Sequence, residues 1–242
     1  MDITSETHSQ HISRQFNQEL EELKTHLMTM GGLVEQQVQQ AIQALLDGDS
    51  RLAEQVSEGD HLVNEMQLKI DDECTRVLAR RQPAASDLRL VLAVIRATAD
   101  LERIGDEASK IARNAMTLIE SGNGARGLVE VRHISEHVRK MLRDALTAFA
   151  RFDTELALKV VHEDDAVDDE YGSAMRSLMT FMMEDNRAIG PVLSVMWILR
   201  ALERVGDHAD NLAEYVIYLV KGLDIRHMDP EQLDEDALTR KG

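Results

Sequence analysis

Two pairs of carboxylates are spaced so that they could bind a cation. Glu102 and Asp106 are four residues apart, as are Glu203 and Asp207, and Asp210 extends the second pair. Residues four apart lie on one face of a helix, about one turn from each other. Stacked acids repel, whereas hard divalent or ferric ions bind arrays of carboxylate oxygens. The pattern is therefore suited to metal sites for divalent or iron ions on helix faces outside the core.

The two halves of the chain differ in the acids around these pairs. The second stripe continues to Glu214, but Ser109 and Arg113 occupy the matching places in the first half. Acids on a preceding helix could complete either shell, namely Asp60, Glu65, Asp164, Asp165, Asp168 and Asp169. The alternative is a solvated helix face whose acids pair with Arg103, Arg200 and Arg204. The spacing alone leaves both interpretations open.

The two acid pairs belong to an internal repeat. LERIGDEASKIA at 101–112 matches LERVGDHADNLA at 202–213, an offset of 101 residues. Earlier in each half the offset is 104, so Asp49 matches Asp153 and Val63 matches Val167. Agreement along three successive apolar segments indicates an internal duplication.

The elements that carry the repeat are predicted to be helices. Apolar residues recur at steps of three and four, aromatic residues make up only 3% of the chain and it contains three prolines. Helices are expected near 12–47, 50–82, 85–120, 127–150, 154–186 and 188–222, with Asp49 and Asp153 as N-caps. The predicted fold is all-α, with two tandem three-helix bundles of six long helices. We assign residues 1–121 and 122–222 to the bundles and 223–242 to a flexible acidic tail.

The composition narrows the function classes. A net charge of −17 disfavours nucleic acid and anionic lipid as partners, because both are bound through clustered Lys and Arg. A single cysteine, Cys74, cannot form an internal disulfide. The longest apolar run, at 191–199, is short for a membrane span, and we expect no signal peptide before the polar N-terminus. These features favour a cytoplasmic protein.

Other motifs do not support catalysis. Gly122, Gly124 and Gly127 spell a dinucleotide-binding pattern, but they follow a helix rather than a strand. Glu-x-x-His pairs, typical of di-iron bundles, occur at 58–61 and 130–133, and neither recurs in the other half. We find no Ser-His-Asp or Cys-His set in the spacing. The sequence therefore predicts no catalytic residues.

Three segments of the chain read ARRQPAASDLRLVL, DLERIGDEASKIARNA and LERVGDHADNLAEYVIYLVKG. They resemble the PhoU family of phosphate-uptake regulators, and the likeness extends from about residue 11 to 222. The resemblance implies a homodimer of two-bundle chains that represses the phosphate-starvation response. It implies a link between the ATPase subunit of the phosphate ABC importer and a membrane histidine kinase. It also implies metal ligation by the paired acids.

Two alternatives come from other functional classes. A carboxylate-metal enzyme would need an open coordination position and a nearby general base, which the sequence does not display. A chaperone-like interaction module would rely on long amphipathic helices and a methionine patch at Met179, Met182 and Met183.

Overall fold

Seven α-helices and one short 3-10 turn make up the computed structural model, which describes residues 3–122, 126–225 and 228, with side chains from residue 14 onward. The helices are α1 (Ile3–Asp47), α2 (Ser50–Glu58), α3 (Asp60–Arg81), α4 (Ala85–Ser121), α5 (Leu128–Arg151), α6 (Thr154–Glu184) and α7 (Ile189–Lys221). The 3-10 turn, Asn186–Ala188, joins α6 to α7. No strand occurs in the described ranges, as predicted.

The helices form the two predicted three-helix bundles. In the first, α4 packs against α1 and against α2 and α3, which together replace one predicted helix. In the second, α7 packs against α5 and α6. Asp49 and Asp153 cap α2 and α6, each accepting a backbone N–H at 3.0 Å, from Leu52 and from Leu156. The matching caps confirm the offset of 104 between the halves.

The prediction of one continuous helix over 50–82 was wrong at Gly59. Glycine stabilises a helix interior poorly, because it has more backbone freedom to lose than any other residue. Here its carbonyl accepts a hydrogen bond from Gln37 Nε2 at 3.1 Å. The chain consequently breaks into α2 and α3, and Asp60 stands at the start of α3. The matching helix of the second bundle, α6, is continuous.

The bundles lie side by side, with α4 and α7 packed antiparallel at the centre of the molecule. The buried Asp100 of α4 binds three side chains of α7 across this seam, His208 Nδ1 at 2.7 Å, Asn211 Nδ2 at 3.2 Å and Tyr215 OH at 2.7 Å. Two turns further along α4, the buried Glu107 binds Arg204 Nη1 at 3.0 Å. The seam therefore joins the halves through buried charge as well as apolar packing.

Three further predictions concerned the single cysteine, the C-terminal tail and membrane spans. Cys74 is buried, and its burial raises the pKa of the thiol to about 12, in keeping with a packing residue. Residues 223–225 follow α7, and Ile225 is buried in the core. Most of the tail predicted to be flexible, 226–227 and 229–242, lies outside the described residues, as does Gly124 of the glycine pattern. Within the described helices, none combines the length and apolarity required to cross a membrane.

Candidate metal centre

The second predicted acid pair lies in a cluster of carboxylates between α6 and α7. Asp168, Glu203 and Asp207 each offer an oxygen within 4.8 Å of the other two. Glu203 and Asp207 are one turn apart on α7, and Asp168 projects from the neighbouring α6. This is the one set of three acidic, histidine or cysteine side chains with that spacing in the described part of the chain.

One member of the cluster, Glu203, is buried, whereas Asp168 is exposed and Asp207 is partly exposed. Only 8% of the surface of Glu203 is accessible to solvent, so the expectation that the acids lie outside the core was wrong for this residue. Its helix packs against α5 and α6 as well as α4, which leaves α7 little free surface. Burial, followed by the charge of Asp207, raises the pKa of Glu203 to about 7. Burial also raises the pKa of Asp207, and the charge of Asp168 adds to it.

Two further acids stand next to this cluster. Burial raises the pKa of Asp164 to about 6, with a further contribution from the charge of Asp207. Burial also raises the pKa of Asp210 to about 8, and the charges of Glu214 and Asp164 add to it. The second-half centre therefore has two neighbouring carboxylates whose pKa values are raised by burial and by the charge of nearby acids.

The donor set fits a hard cation. Arg200 pairs with one oxygen of Glu203, whereas Glu203 Oε2 and Asp210 Oδ1 are buried without a hydrogen-bond partner among the described residues. Buried carboxylate oxygens lacking donors are unfavourable, and a divalent ion in the cluster would satisfy that of Glu203, whereas Asp210 lies outside the set of three. The alternative that arginines neutralise the stripe holds only in part. Arg200 contacts Glu203, but Arg204 binds Glu107 instead.

The first predicted pair, Glu102 and Asp106, occupies the equivalent face of α4, but one neighbouring carboxylate is missing there. Burial, then the charge of Asp106, raises the pKa of Glu102, and Asp60 contributes further. Asn64 stands where the second half has Asp168, and its amide nitrogen donates to Asp60 at 3.4 Å. One carboxylate is thus replaced by a neutral amide, so this face has lower charge.

The sequence analysis predicted only part of this centre. It chose the pairs on α4 and α7 and named Asp60, Asp164 and Asp168 only as candidates to complete a shell. Asp164 and Asp168 are themselves four residues apart, and Asp60 and Asn64 match them at the offset of 104. That recurrence was the available signal. Glu65, also named, matches Asp169 rather than the clustered Asp168.

Comparison with known proteins gives consistent results. The sequence model described as the PhoU domain matches residues 27–115 and 131–216, one copy in each half. The chain is 60% identical over 235 residues to the phosphate-specific transport system accessory protein PhoU homolog of Pseudomonas putida, covering 97% of this chain and 92% of the relative.

Two solved structures share the fold. The crystal structure of PhoU from Pseudomonas aeruginosa superposes with a TM-score of 0.84 at 60% identity, covering 86% of this chain and 100% of that one. The phosphate transport system regulatory protein PhoU from Streptococcus pneumoniae superposes with a TM-score of 0.80 at 29% identity, covering 86% and 98%. These matches agree with the duplicated fold derived above.

Proposed function

The chain belongs to the PhoU family, and on that premise we propose that it is a negative regulator of phosphate uptake and of the phosphate-starvation genes. It works as a non-catalytic adaptor between the ATPase subunit of the phosphate ABC importer and the membrane histidine kinase of phosphate sensing. The observation that carries this proposal is the PhoU domain match in both halves of the chain. The protein acts in the cytoplasm and reaches the inner membrane through these partners.

The surface of the two bundles suits an adaptor. Large apolar side chains are exposed on four different helices, at Leu68, Val129, Met183 and Trp197. Such side chains supply much of the binding energy where proteins meet. Their distribution over several helices would let two different partners bind to two different faces.

The carboxylate centre adds a metal-dependent element to this role. A divalent or iron ion bound by Asp168, Glu203 and Asp207 would join α6 to α7 and neutralise their mutual repulsion. It would supply charge compensation rather than chemistry. In this proposal the ion fixes the geometry of the second bundle and thereby tunes partner binding.

We expect a homodimer. The family resemblance motivates this expectation, and the exposed apolar side chains offer surface for such contact. Light scattering at micromolar concentration should give twice the chain mass of 27.2 kDa. A mass of one chain across that range would contradict the dimer.

The function is tested by alkaline phosphatase activity in phosphate-rich cells that lack this gene, with and without a plasmid copy. High activity that the plasmid copy lowers would establish negative regulation. Unchanged low activity in the deletion strain would refute it.

A second experiment addresses the partners. The purified chain is mixed separately with the importer ATPase subunit and with the cytoplasmic part of the kinase, and complexes are detected by light scattering. Binding of both is expected. Failure to bind either one, with the deletion phenotype intact, would reject the adaptor mechanism while leaving the regulatory role.

A further inference from the structure

An open groove lies between α4 and α7, towards the C-terminal end of α4. It has a volume of about 530 Å³, which is within the usual range for small-molecule sites. Glu107, Lys110 and Asn114 line it from α4, and the small Ala201 lines it from α7. Because both helices contribute, anything bound in the groove contacts both bundles.

The duplication shows what this groove corresponds to elsewhere in the seam. Its four residues match, at the offset of 101, the network in which Asp100 binds three side chains of α7. Glu107, Lys110 and Asn114 match those three, His208, Asn211 and Tyr215, and Ala201 matches Asp100. The carboxylate that fills one part of the seam is therefore replaced by a methyl group at the other. The groove thus opens where the duplicated network holds an anion.

The groove carries an excess of positive charge in a chain whose net charge is −17. Lys110 Nζ and Arg204 Nη1 share one acceptor, Glu107 Oε1, at 2.9 and 3.0 Å. Arg200 adds a third cation to the lining and pairs with Glu203. Glu107 is buried, whereas the three cations keep solvent-accessible surface. A local cluster of this kind can attract an anion despite the opposite charge of the whole chain.

Trp197 gives the groove an aromatic wall. It is the only tryptophan in the chain, and 63% of its surface is accessible to solvent. An exposed ring of this kind is suited to stacking against a planar ring of a ligand. A phosphate group carries a charge of about −2, so three neighbouring cations suit it better than they suit a single carboxylate.

We infer that this groove binds a phosphorylated small molecule that carries an aromatic ring, such as a nucleotide. The phosphate takes the place that the carboxylate of Asp100 holds in the matching network, beside Lys110 and Arg204. The ring stacks on Trp197. Ala201 has no side chain beyond Cβ, so it leaves the space that the ligand fills. The bound ligand links α4 to α7 and so joins the two bundles.

The test titrates the full chain, in the presence of a chelator, with AMP and separately with inorganic phosphate. Binding is followed by the fluorescence of Trp197 and, independently, by calorimetry. We expect AMP to bind and to change the fluorescence, and inorganic phosphate to bind more weakly because it lacks the ring. Absence of AMP binding at millimolar concentration would overturn the inference. So would inorganic phosphate that binds as tightly as AMP.

Two variants and a control locate the site. Ala201→Asp restores the carboxylate of the matching position, so we expect it to fill the groove and abolish AMP binding. Lys110→Gln removes one cation while Arg204 still pairs with Glu107, and it should weaken AMP binding at least about tenfold. Arg113→Gln is the matched control, because Arg113 is an exposed cation of α4 outside the groove lining. It should bind AMP as the unaltered chain does.

These variants can also contradict the inference. A folded Ala201→Asp protein that binds AMP with unchanged affinity would overturn it. If Ala201→Asp fails to fold, Lys110→Gln and its control decide the question. Unchanged affinity in Lys110→Gln would place the nucleotide elsewhere, and an equal loss in Arg113→Gln would show that only the net charge matters. Either result would overturn the inference.

Discussion

The electrostatics of the carboxylate centre can be tested by the substitution Glu203→Gln. Burial and the charge of Asp207 raise the pKa of Glu203 from its ordinary 4.5 to about 7. In the unfolded chain the group ionises at the lower value. Below about pH 4.5 Glu203 is protonated in both states and does not affect the stability of the metal-free protein. As the pH rises from there through about 7, the protein loses folding stability, because the buried group resists ionisation.

The size of the effect follows from that difference. Raising the pKa from 4.5 to about 7 corresponds to about 3 kcal/mol of lost folding stability at high pH. This is an upper value, because glutamine cannot replace the ion pair that Glu203 makes with Arg200. We therefore expect Glu203→Gln to stabilise the metal-free protein by about 1–3 kcal/mol at pH 8 and by almost nothing at pH 4.

The assay is urea unfolding followed by the helical circular-dichroism signal, with a chelator present, at both pH values. Glu102→Gln serves as the matched control in the first bundle. It should gain less, because Asn64 replaces one carboxylate there. A Glu203→Gln variant that is less stable than the unaltered protein at pH 8 would refute the reasoning. The cost of burying the Glu203 charge beside Asp207 would then be smaller than the stabilisation from its ion pair with Arg200.

Adding metal should narrow the difference in stability between the two proteins. An ion that binds only the folded state stabilises it by about 2.7 kcal/mol when present at one hundred times its dissociation constant. The unaltered protein should gain this stability, and Glu203→Gln should gain less because it offers one anionic ligand fewer. Equal gains in both proteins would place the ion elsewhere.

Three other predictions concern the centre, the seam and a tight turn. Combining Glu203→Gln with Asp207→Asn should lower the metal bound per chain, measured by elemental analysis, while the helical circular-dichroism signal persists; its collapse would contradict this. Asp100→Ala leaves three side chains of α7 without their shared acceptor and should reduce unfolding free energy by about 3–5 kcal/mol, as measured in urea. Gly127→Ala adds a Cβ 2.8 Å from Leu178 at a φ of +93° and should lower stability by at least about 1 kcal/mol. An unchanged urea midpoint in either of these two variants would refute its prediction.

The repeating features of the fold could be predicted from the sequence because they are local. Apolar spacing identified the helices, and the offset of 104 placed both aspartate N-caps correctly. The break at Gly59 was missed because a side chain from another helix, Gln37, takes the carbonyl. Local propensity cannot report such a contact.

The site and the seam show where prediction from sequence ends. The acid pairs on α4 and α7 can each be predicted from spacing within one helix, but the packing of α6 on α7 decides that Asp168 joins Glu203 and Asp207. The binding of Asp100 by residues more than 100 positions away has no sequence motif at all. Burial of Glu203 likewise depends on helix packing.

The seam between α4 and α7 has consequences for how the two halves recognise each other. At the offset of 101, His208 and Tyr215, which bind Asp100, match Glu107 and Asn114 of the first half. Two copies of the first half paired in this way would therefore bring Asp100 against the carboxylate of Glu107. Two copies of the second half would lack the aspartate altogether, because Ala201 matches Asp100. Divergence after duplication has thus made the halves complementary to each other and mismatched with themselves, so halves produced as separate chains should assemble as a heterodimer.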